Sequence, residues 1–304
     1  MIFCGVLPTA WLLVGTVALS AEPATLPGLT YPPAIPGARV ETYKKVGDLP
    51  LHVYLYFPEH HAPSDRRAAI VFFFGGGWRA GSPQQFVPQC EYLAARGMVA
   101  MVADYRVHSR HQTQAVACVA DGKSAIRWVR SNADRLGIDL ERIVAAGGSA
   151  GGHVAACTGL IDGFEEPGET TTVRSRPNAM VLLNPVLQLA AVDGIDPWPA
   201  ERMERLADRL GTTPRNLSPH HHIAPGAPPT LILHGTDDAA VPYRTAEQFT
   251  QAMRHAGNRC ELRGFAGQGH GFFNRRRDDD RGYRETIKAI DEFLVSLDYL
   301  HEPP

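Results

Sequence analysis

A single α/β domain, a mainly parallel sheet with helices on both faces, is the fold class this sequence predicts. Three observations carry it. Strand-length apolar runs alternate with helix-length segments through most of the chain, the pattern of parallel strands joined by crossover helices. Several runs, such as Ala68-Ala69-Ile70-Val71-Phe72-Phe73-Phe74, are apolar without two-residue alternation, as a strand covered on both faces must be. The 304 residues, 44% of them hydrophobic, suffice for one large core, and no internal repeat or second apolar block divides them.

In chain order, Val40 to Phe57 reads as two strands about the turn Gly47-Asp48, with Leu51, Val53, Leu55 and Phe57 on one face and His52, Tyr54 and Tyr56 on the other. That is an antiparallel opening hairpin. The run ending at Phe74 comes next and stops at Gly75-Gly76-Gly77. A helix over Gln84 to Arg96, a strand over Val99 to Tyr105, a helix over Ala115 to Leu136 and a strand over Ile143 to Ala146 continue the rhythm. A helix follows Ser149, and strands are expected at Ala179 to Leu183, Thr230 to His234 and Glu261 to Phe265, with a closing helix over Tyr283 to Leu297. Between Asn184 and Pro229 the rhythm breaks into a Pro-rich stretch with one amphipathic helix, Glu201 to Leu210, and the cluster Ser218-Pro219-His220-His221-His222. Residues 187–222 are therefore expected to form a small cap segment beside the site, because loops after the carboxyl ends of parallel strands carry function.

The α/β domain is expected over residues 38–300. Ahead of it, Trp11 to Leu19 is apolar and small residues follow at Ala18 to Ala21, so residues 1–21 read as a signal peptide of a secreted or periplasmic protein, although residues 1–10 contain no Lys or Arg. Proline-rich residues 22–37 read as an extended linker. The apolar run is too short for a stable membrane span. A net charge of −2 with mixed signs offers no field for nucleic acid, and Arg275-Arg276-Arg277-Asp278-Asp279-Asp280 reads as a solvated loop whose blocks cancel. Cys90, Cys118, Cys157 and Cys260 remain after the leader; export would permit one or two disulfides, while Cys118 and Cys157 fit equally well as small buried thiols.

The chemistry concentrates at Gly147-Gly148-Ser149-Ala150-Gly151. This G-x-S-x-G follows the apolar strand Ile143 to Ala146 and opens a small-residue helix, the strand–turn–helix setting in which glycines permit a sharp turn that pushes a serine hydroxyl outward. A serine needs a base to become a nucleophile. Of 13 histidines, His270 is the candidate, because Gly267-Gln268-Gly269-His270-Gly271-Phe272 follows the last strand in a glycine-lined loop. His153 reads as packing within the helix after the serine, and His234 as making a structural hydrogen bond at a strand end. The triplet His220 to His222 reads as a wall of the substrate pocket rather than a metal site, since consecutive side chains diverge and no carboxylates stand nearby. Asp237 and Asp238 both follow the strand Thr230 to His234; spacing favours Asp238 as the partner of His270, with Asp237 capping the loop through backbone N–H groups. Backbone donors for a developing oxyanion are expected from Gly76 and Gly77, together with Ala150 after the nucleophile. Trp78 beside them is the candidate substrate contact. A phosphate loop is the rival reading of Gly75 to Gly77, but no Lys-Ser or Lys-Thr follows.

Together, Phe74-Gly75-Gly76-Gly77-Trp78, Asp104-Tyr105-Arg106, the run Gly147 to His153, His234-Gly235-Thr236-Asp237-Asp238 and Gly269-His270-Gly271-Phe272 resemble the esterase/lipase branch of the α/β-hydrolase superfamily. The resemblance is nearest to acetyl-xylan and feruloyl esterase-like carboxylesterases. It implies the α/β-hydrolase fold, places the acidic residue at Asp238, and implies hydrolysis of a carboxylic ester through an acyl-enzyme, without metal or cofactor. Acetyl or feruloyl esters of polysaccharide, or small-molecule esters, are the substrates it implies. A formamidase-like amidase, a lipase-like esterase and a catalytically silent binding protein on the same scaffold are the alternatives. Phe74 departs from the family pattern, which has histidine there to help hold the oxyanion loop. Trp198 and Tyr243 are aromatic side chains able to stack on a sugar or aryl ring.

Overall fold

The computed structural model describes Met1 and residues 31–302, so the leader expected over 1–21 lies outside the described residues apart from Met1. Eight strands, β1 (Arg39–Val46), β2 (Leu49–Tyr56), β3 (Arg67–Phe73), β4 (Val99–Ala103), β5 (Ile138–Gly148), β6 (Ala179–Leu183), β7 (Thr230–Gly235) and β8 (Cys260–Phe265), form one sheet. Their order is β1-β2-β4-β3-β5-β6-β7-β8. β1 pairs antiparallel with β2, and β2 antiparallel with β4; the remaining neighbours are parallel. The helices are α1 (Val87–Ala95), the one-turn α2 (His108–His111), α3 (Ala115–Ser131), α4 (Ala150–Leu160), α5 (Ala200–Leu210), α6 (Tyr243–His255) and α7 (Arg281–Val295). Among the described residues no helix is long and apolar enough to cross a membrane. This is the α/β-hydrolase architecture, with a short insertion around α5.

The non-alternating runs lie where burial on both faces demands them. Every residue of β4 and β6 is buried, and so are Ala68 to Phe73 of β3. β2 departs from the expected alternation: Tyr54 and Tyr56 are buried as well as Leu51, Val53 and Leu55, because the sheet is packed on both sides there, and Phe57 lies past the strand. β5 is longer than expected and carries Gly147 and Gly148 inside the strand, so the turn begins only at Ser149. The segment before α1 is a separate 3-10 turn, Pro83–Phe86, capped by the Ser82 hydroxyl on the Gln84 amide at 3.3 Å. Among the described residues the four cysteines are buried free thiols, which corrects the allowance for disulfides.

α4 explains its own composition. Ten of its eleven residues are buried, so it has no polar face and packs against the sheet and the insertion on all sides. A Cβ on Gly151 would stand 2.0 Å from the Phe73 carbonyl oxygen, so the helix can approach the end of β3 only where this side chain is absent. Filling that contact forces backbone apart. Gly151→Ala is expected to lower unfolding stability by more than about 3 kcal/mol, the upper range for overpacking, in urea titrations; a loss below about 1 kcal/mol would contradict this packing.

Candidate active site

The C-terminal ends of the parallel strands converge on one side chain cluster, as crevices in such sheets do. Ser149 follows β5, Asp238 lies in the loop after β7, and His270 in the loop after β8. The His270 Nδ1–H donates to Asp238 Oδ2 at 2.8 Å, and Nε2 faces Ser149 Oγ at 2.9 Å. With a carboxylate on Nδ1, the tautomer that fits leaves Nε2 free to accept the serine proton. Ser149 itself sits at φ 55°, ψ −119°, a region costing an ordinary residue about 1–3 kcal/mol. Its backbone is pinned by Ser149 N–H to the Leu183 carbonyl at 2.9 Å and by His153 N–H to its own carbonyl at 3.0 Å.

Asp238 is the charged floor of this chain of hydrogen bonds. Its Oδ1 accepts the amides of Ala240 and Val241, both at 2.8 Å, while Oδ2 accepts Asn184 Nδ2 at 2.5 Å besides His270. His234 Nε2 stands 3.3 Å from the same Oδ2 and 2.9 Å from the Val241 carbonyl. Burial by itself would raise the carboxyl pKa; the hydrogen bonds from His234, His270, Val241 and Asn184 outweigh it and hold the group well below the usual carboxylate range. Asp238 is therefore a fixed anion. Asp237 is exposed and interacts with the Thr236 hydroxyl. The loop-capping role expected of Asp237 thus falls to Asp238, whose two oxygens serve the loop and the imidazole separately.

The glycine run after β3 forms the opposite wall. Gly76 has φ +126°, and a Cβ there would lie 2.1 Å from the Ala80 carbonyl, so only glycine allows the loop to turn back this tightly. Among the described residues, the amides of Gly76 and Gly77 have no hydrogen-bond acceptor, and Ala150, as the first residue of α4, has none within its helix. The loop is held without the family's histidine. Phe74 stacks on Tyr105 with ring centroids 4.1 Å apart, and the Tyr105 hydroxyl donates to the Phe74 carbonyl at 2.5 Å. Next to it the Gly75 amide donates to Gln85 Oε1 at 2.6 Å, and Gln85 Nε2 to Asn274 Oδ1 at 3.0 Å. Tyr105 is positioned in turn by Asp104, whose Oδ1 accepts the Tyr105 amide at 2.8 Å.

Two cavities meet at Ser149. One, of ≈ 460 Å³, is lined by Gly75, Gly76, Gly77, Gln85, His270 and Asn274 among others. The second, of ≈ 360 Å³, runs from Gly77, Trp78 and Ala150 to Trp198 and α5, so the insertion walls the site as its position suggested. His220, His221 and His222 line neither cavity, which corrects their reading as a pocket wall. They form a 3-10 turn whose bonds face inward: His220 N–H donates to the Leu187 carbonyl at 3.0 Å, and His221 meets Ser218 Oγ and the Ala191 carbonyl. Tyr243 packs edge-on against His234 and lines a different surface pocket. Among the described residues no three His, Cys, Asp or Glu side chains gather as a metal site. Asn184, Gln85 and Asn274 were missed by sequence reasoning. Asn184 had a signal, a polar residue ending the wholly apolar strand β6; Gln85 and Asn274 had none.

His153 is sealed behind Trp78. Its Nδ1 accepts the Trp78 indole N–H at 3.3 Å, and its Nε2–H donates to the Leu217 carbonyl at 2.7 Å, tying the glycine loop after β3 to the insertion. Burial pushes the imidazole from 6.5 down to about 4, partly opposed by the Leu217 hydrogen bond. Because the folded pKa is depressed, the unfolded chain binds the extra proton, so this contribution is complete above pH 6.5 and is lost as pH falls towards 4. The shift corresponds to about 3 kcal/mol. Unfolding free energies measured from pH 7.5 to 4 should therefore fall less steeply in His153→Gln than in the parent; identical slopes would contradict a neutral buried His153.

Known proteins match this arrangement. The BD-FAE family model matches residues 53–253. Esterase 2 of Thermogutta terrifontis, in the form phosphonylated by sarin, superposes with a TM-score of 0.87 and 54% identity over 90% of this chain and 100% of its own. Esterase LipC of Mycobacterium tuberculosis is 31% identical over 74% of this chain and 58% of LipC, and carboxylesterase NlhH of the same organism 28% identical over 81% and 79%. The chain spans about half the length of the first curated relatives, 58%, 43% and 49% of each. On the family match and the superposition, the chain belongs to the BD-FAE family of α/β-hydrolase esterases.

Proposed function

We propose that this protein is a serine carboxylesterase acting on short-chain esters through an acyl-enzyme. The observation that carries the reading is the continuous hydrogen-bond chain from Ser149 Oγ through His270 to Asp238, set beside backbone amides that have no acceptor of their own. Ser149 Oγ attacks the ester carbonyl while His270 Nε2 takes its proton. The oxyanion gathers on the amides of Gly76, Gly77 and Ala150, each such donor being worth about 2.7–4 kcal/mol of barrier where it has been removed in other enzymes. The imidazolium is stabilised by the Asp238 anion and passes its proton to the leaving alkoxide. Water then enters with His270 as base, and the acid departs. No step calls for a metal or an organic cofactor.

Short acyl groups are favoured by the relatives. The Thermogutta esterase has been solved with propionate and with butyrate bound, and the cavities here are of modest volume. The resemblance to acetyl-xylan and feruloyl esterases extends the proposal to acyl groups on polysaccharide. The cavity on the His270 side, at ≈ 460 Å³ the larger of the two, leaves room for a bulky alcohol. Release of acetate and ferulate from substituted xylo-oligosaccharides tests that extension, and activity on simple esters alone removes it. Export belongs to the same proposal and rests only on the apolar residues of 1–21; the N-terminal sequence of protein recovered from outside the cytoplasm checks it.

Hydrolysis of an aryl acetate decides the core of the reading. Ser149→Ala is expected to lower kcat at least about 10⁴-fold with unchanged thermal unfolding. Equal rates for the parent and the variant would overturn it.

A further inference from the structure

The two cavities at Ser149 differ in chemistry. In the hydrolytic cycle the imidazole returns its proton to the leaving oxygen, so the alcohol portion must lie within reach of His270. Only the first cavity has His270 in its wall. The acid portion therefore extends into the second, which runs from Gly77 and Ala150 to the half-buried Arg202 and the exposed Arg205 and Arg209 of α5. That wall is cationic: Arg202, Arg205 and Arg209 line it, and no Asp or Glu does. Their spacing of three and four residues puts all three guanidiniums on one helix face.

Among the described residues these charges are poorly matched. Arg205 pairs with Glu201 at 2.5 Å on the exposed side. Arg202 stacks over the Trp198 ring at 4.6 Å and donates to the Ala240 carbonyl at 2.7 Å, an arrangement that aims it without neutralising it. Burial, and then the charges of Arg205 and Arg209, hold the Arg202 pKa below its usual value, with Asp238 opposing. Asp238 is already engaged by His270, Asn184 and two amides. Arg209 has no carboxylate within ion-pair distance. Like charges gathered on one wall of a reactive cavity cost stability unless an anion completes them, and a planar guanidinium fits a carboxylate best.

Building on the carboxylesterase reading, we propose that the acid portion of the preferred ester ends in a second, free carboxylate bound by Arg202 and Arg209, which makes the enzyme selective for half-esters of dicarboxylic acids. The reaction consumes one water, breaks the acyl–oxygen bond, and releases the alcohol, the dicarboxylate and one proton.

Monoethyl adipate and ethyl hexanoate have the same chain length and differ in a terminal carboxylate against a methyl, as do monoethyl glutarate and ethyl pentanoate. Acid release should give kcat/KM at least roughly tenfold higher for the anionic member at low salt, the scale of one hydrogen bond to a charged group. The preference should shrink in about 0.5 M salt, where exposed charges are screened. In the double variant Arg202→Gln, Arg209→Gln the anionic-to-neutral ratio should fall towards one, chiefly through KM of the half-ester. Equal or poorer turnover of the half-esters by the parent overturns the inference, as does a preference indifferent to the substitutions. Should the variant fail to fold, the salt series on the parent decides: a ratio unchanged by salt overturns the inference. Failure on all four esters while an aryl acetate is cleaved overturns this inference alone; failure on the aryl acetate as well removes the carboxylesterase reading, and this inference with it.

Discussion

The turn from β5 into α4 constrains everything else at the site. Ser149 can hold φ 55° only while the helix that follows lies hard against the end of β3, and Gly151 makes that contact by having no Cβ to place 2.0 Å from the Phe73 carbonyl. The same approach sets the distance to the next loop. A Cβ on Gly75 would stand 3.1 Å from the Gly148 carbonyl and 3.4 Å from the Ser149 Cβ, so the glycine run and the serine share one narrow space. The cost of the strained serine, about 1–3 kcal/mol, is offset by the backbone bonds to Leu183 and from His153 and Val186. Strain, close approach and reactivity are one geometric fact seen three ways.

Electrostatics then polarises what the backbone has placed. Asp238 is sealed from water yet surrounded by donors, so its charge is permanent and directed at His270. On the other side the Gly76 and Gly77 amides are left without acceptors while every neighbour around them is satisfied: Tyr105 holds Phe74, Gln85 holds Gly75, and Ala80 and Arg79 close on Gly76. An anion on one side and idle donors on the other make a field that favours negative charge at the carbonyl oxygen and positive charge at the imidazole. The replacement of the family's histidine by Phe74 changes how the loop is held, by stacking and a tyrosine hydroxyl, and leaves the donors where they are.

The fold was legible because it depends on local pattern. Runs such as Ala68 to Phe74 and Ala179 to Leu183 are wholly apolar, and the elements between them have helix length. Ser149, Asp238 and His270 were legible because each sits at a strand end marked by glycines. The structure brings the three together. What the sequence concealed depends on contacts between distant segments. Gln85 and Asn274 meet across 189 positions, and nothing in either neighbourhood announces it. Asp237 and Asp238 are adjacent and chemically identical; spacing and the family resemblance favoured Asp238, and burial is what sets it apart from the exposed loop acid. The histidines at 220–222 misled because a cluster of titratable groups invites a chemical role, whereas both ring nitrogens of His221 and the backbone amide of His220 bond to the inside of the insertion. The cysteines left disulfides open because export would permit them, whereas the four described thiols are buried and unpaired, Cys118 Sγ against the Arg106 carbonyl and Cys157 Sγ against His153.

The central claim is that Ser149 is the one activated nucleophile. Related esterase 2 from Thermogutta has been solved phosphorylated by paraoxon, and the same reagent tests the claim here without assuming any substrate. After exposure to paraoxon, mass spectrometry of the digested protein should find one diethyl phosphoryl group, on the peptide bearing Ser149, with ester hydrolysis lost in proportion to labelling. Ester hydrolysis that persists with Ser149 unlabelled, or inactivation tracking a label on another residue, would contradict the account.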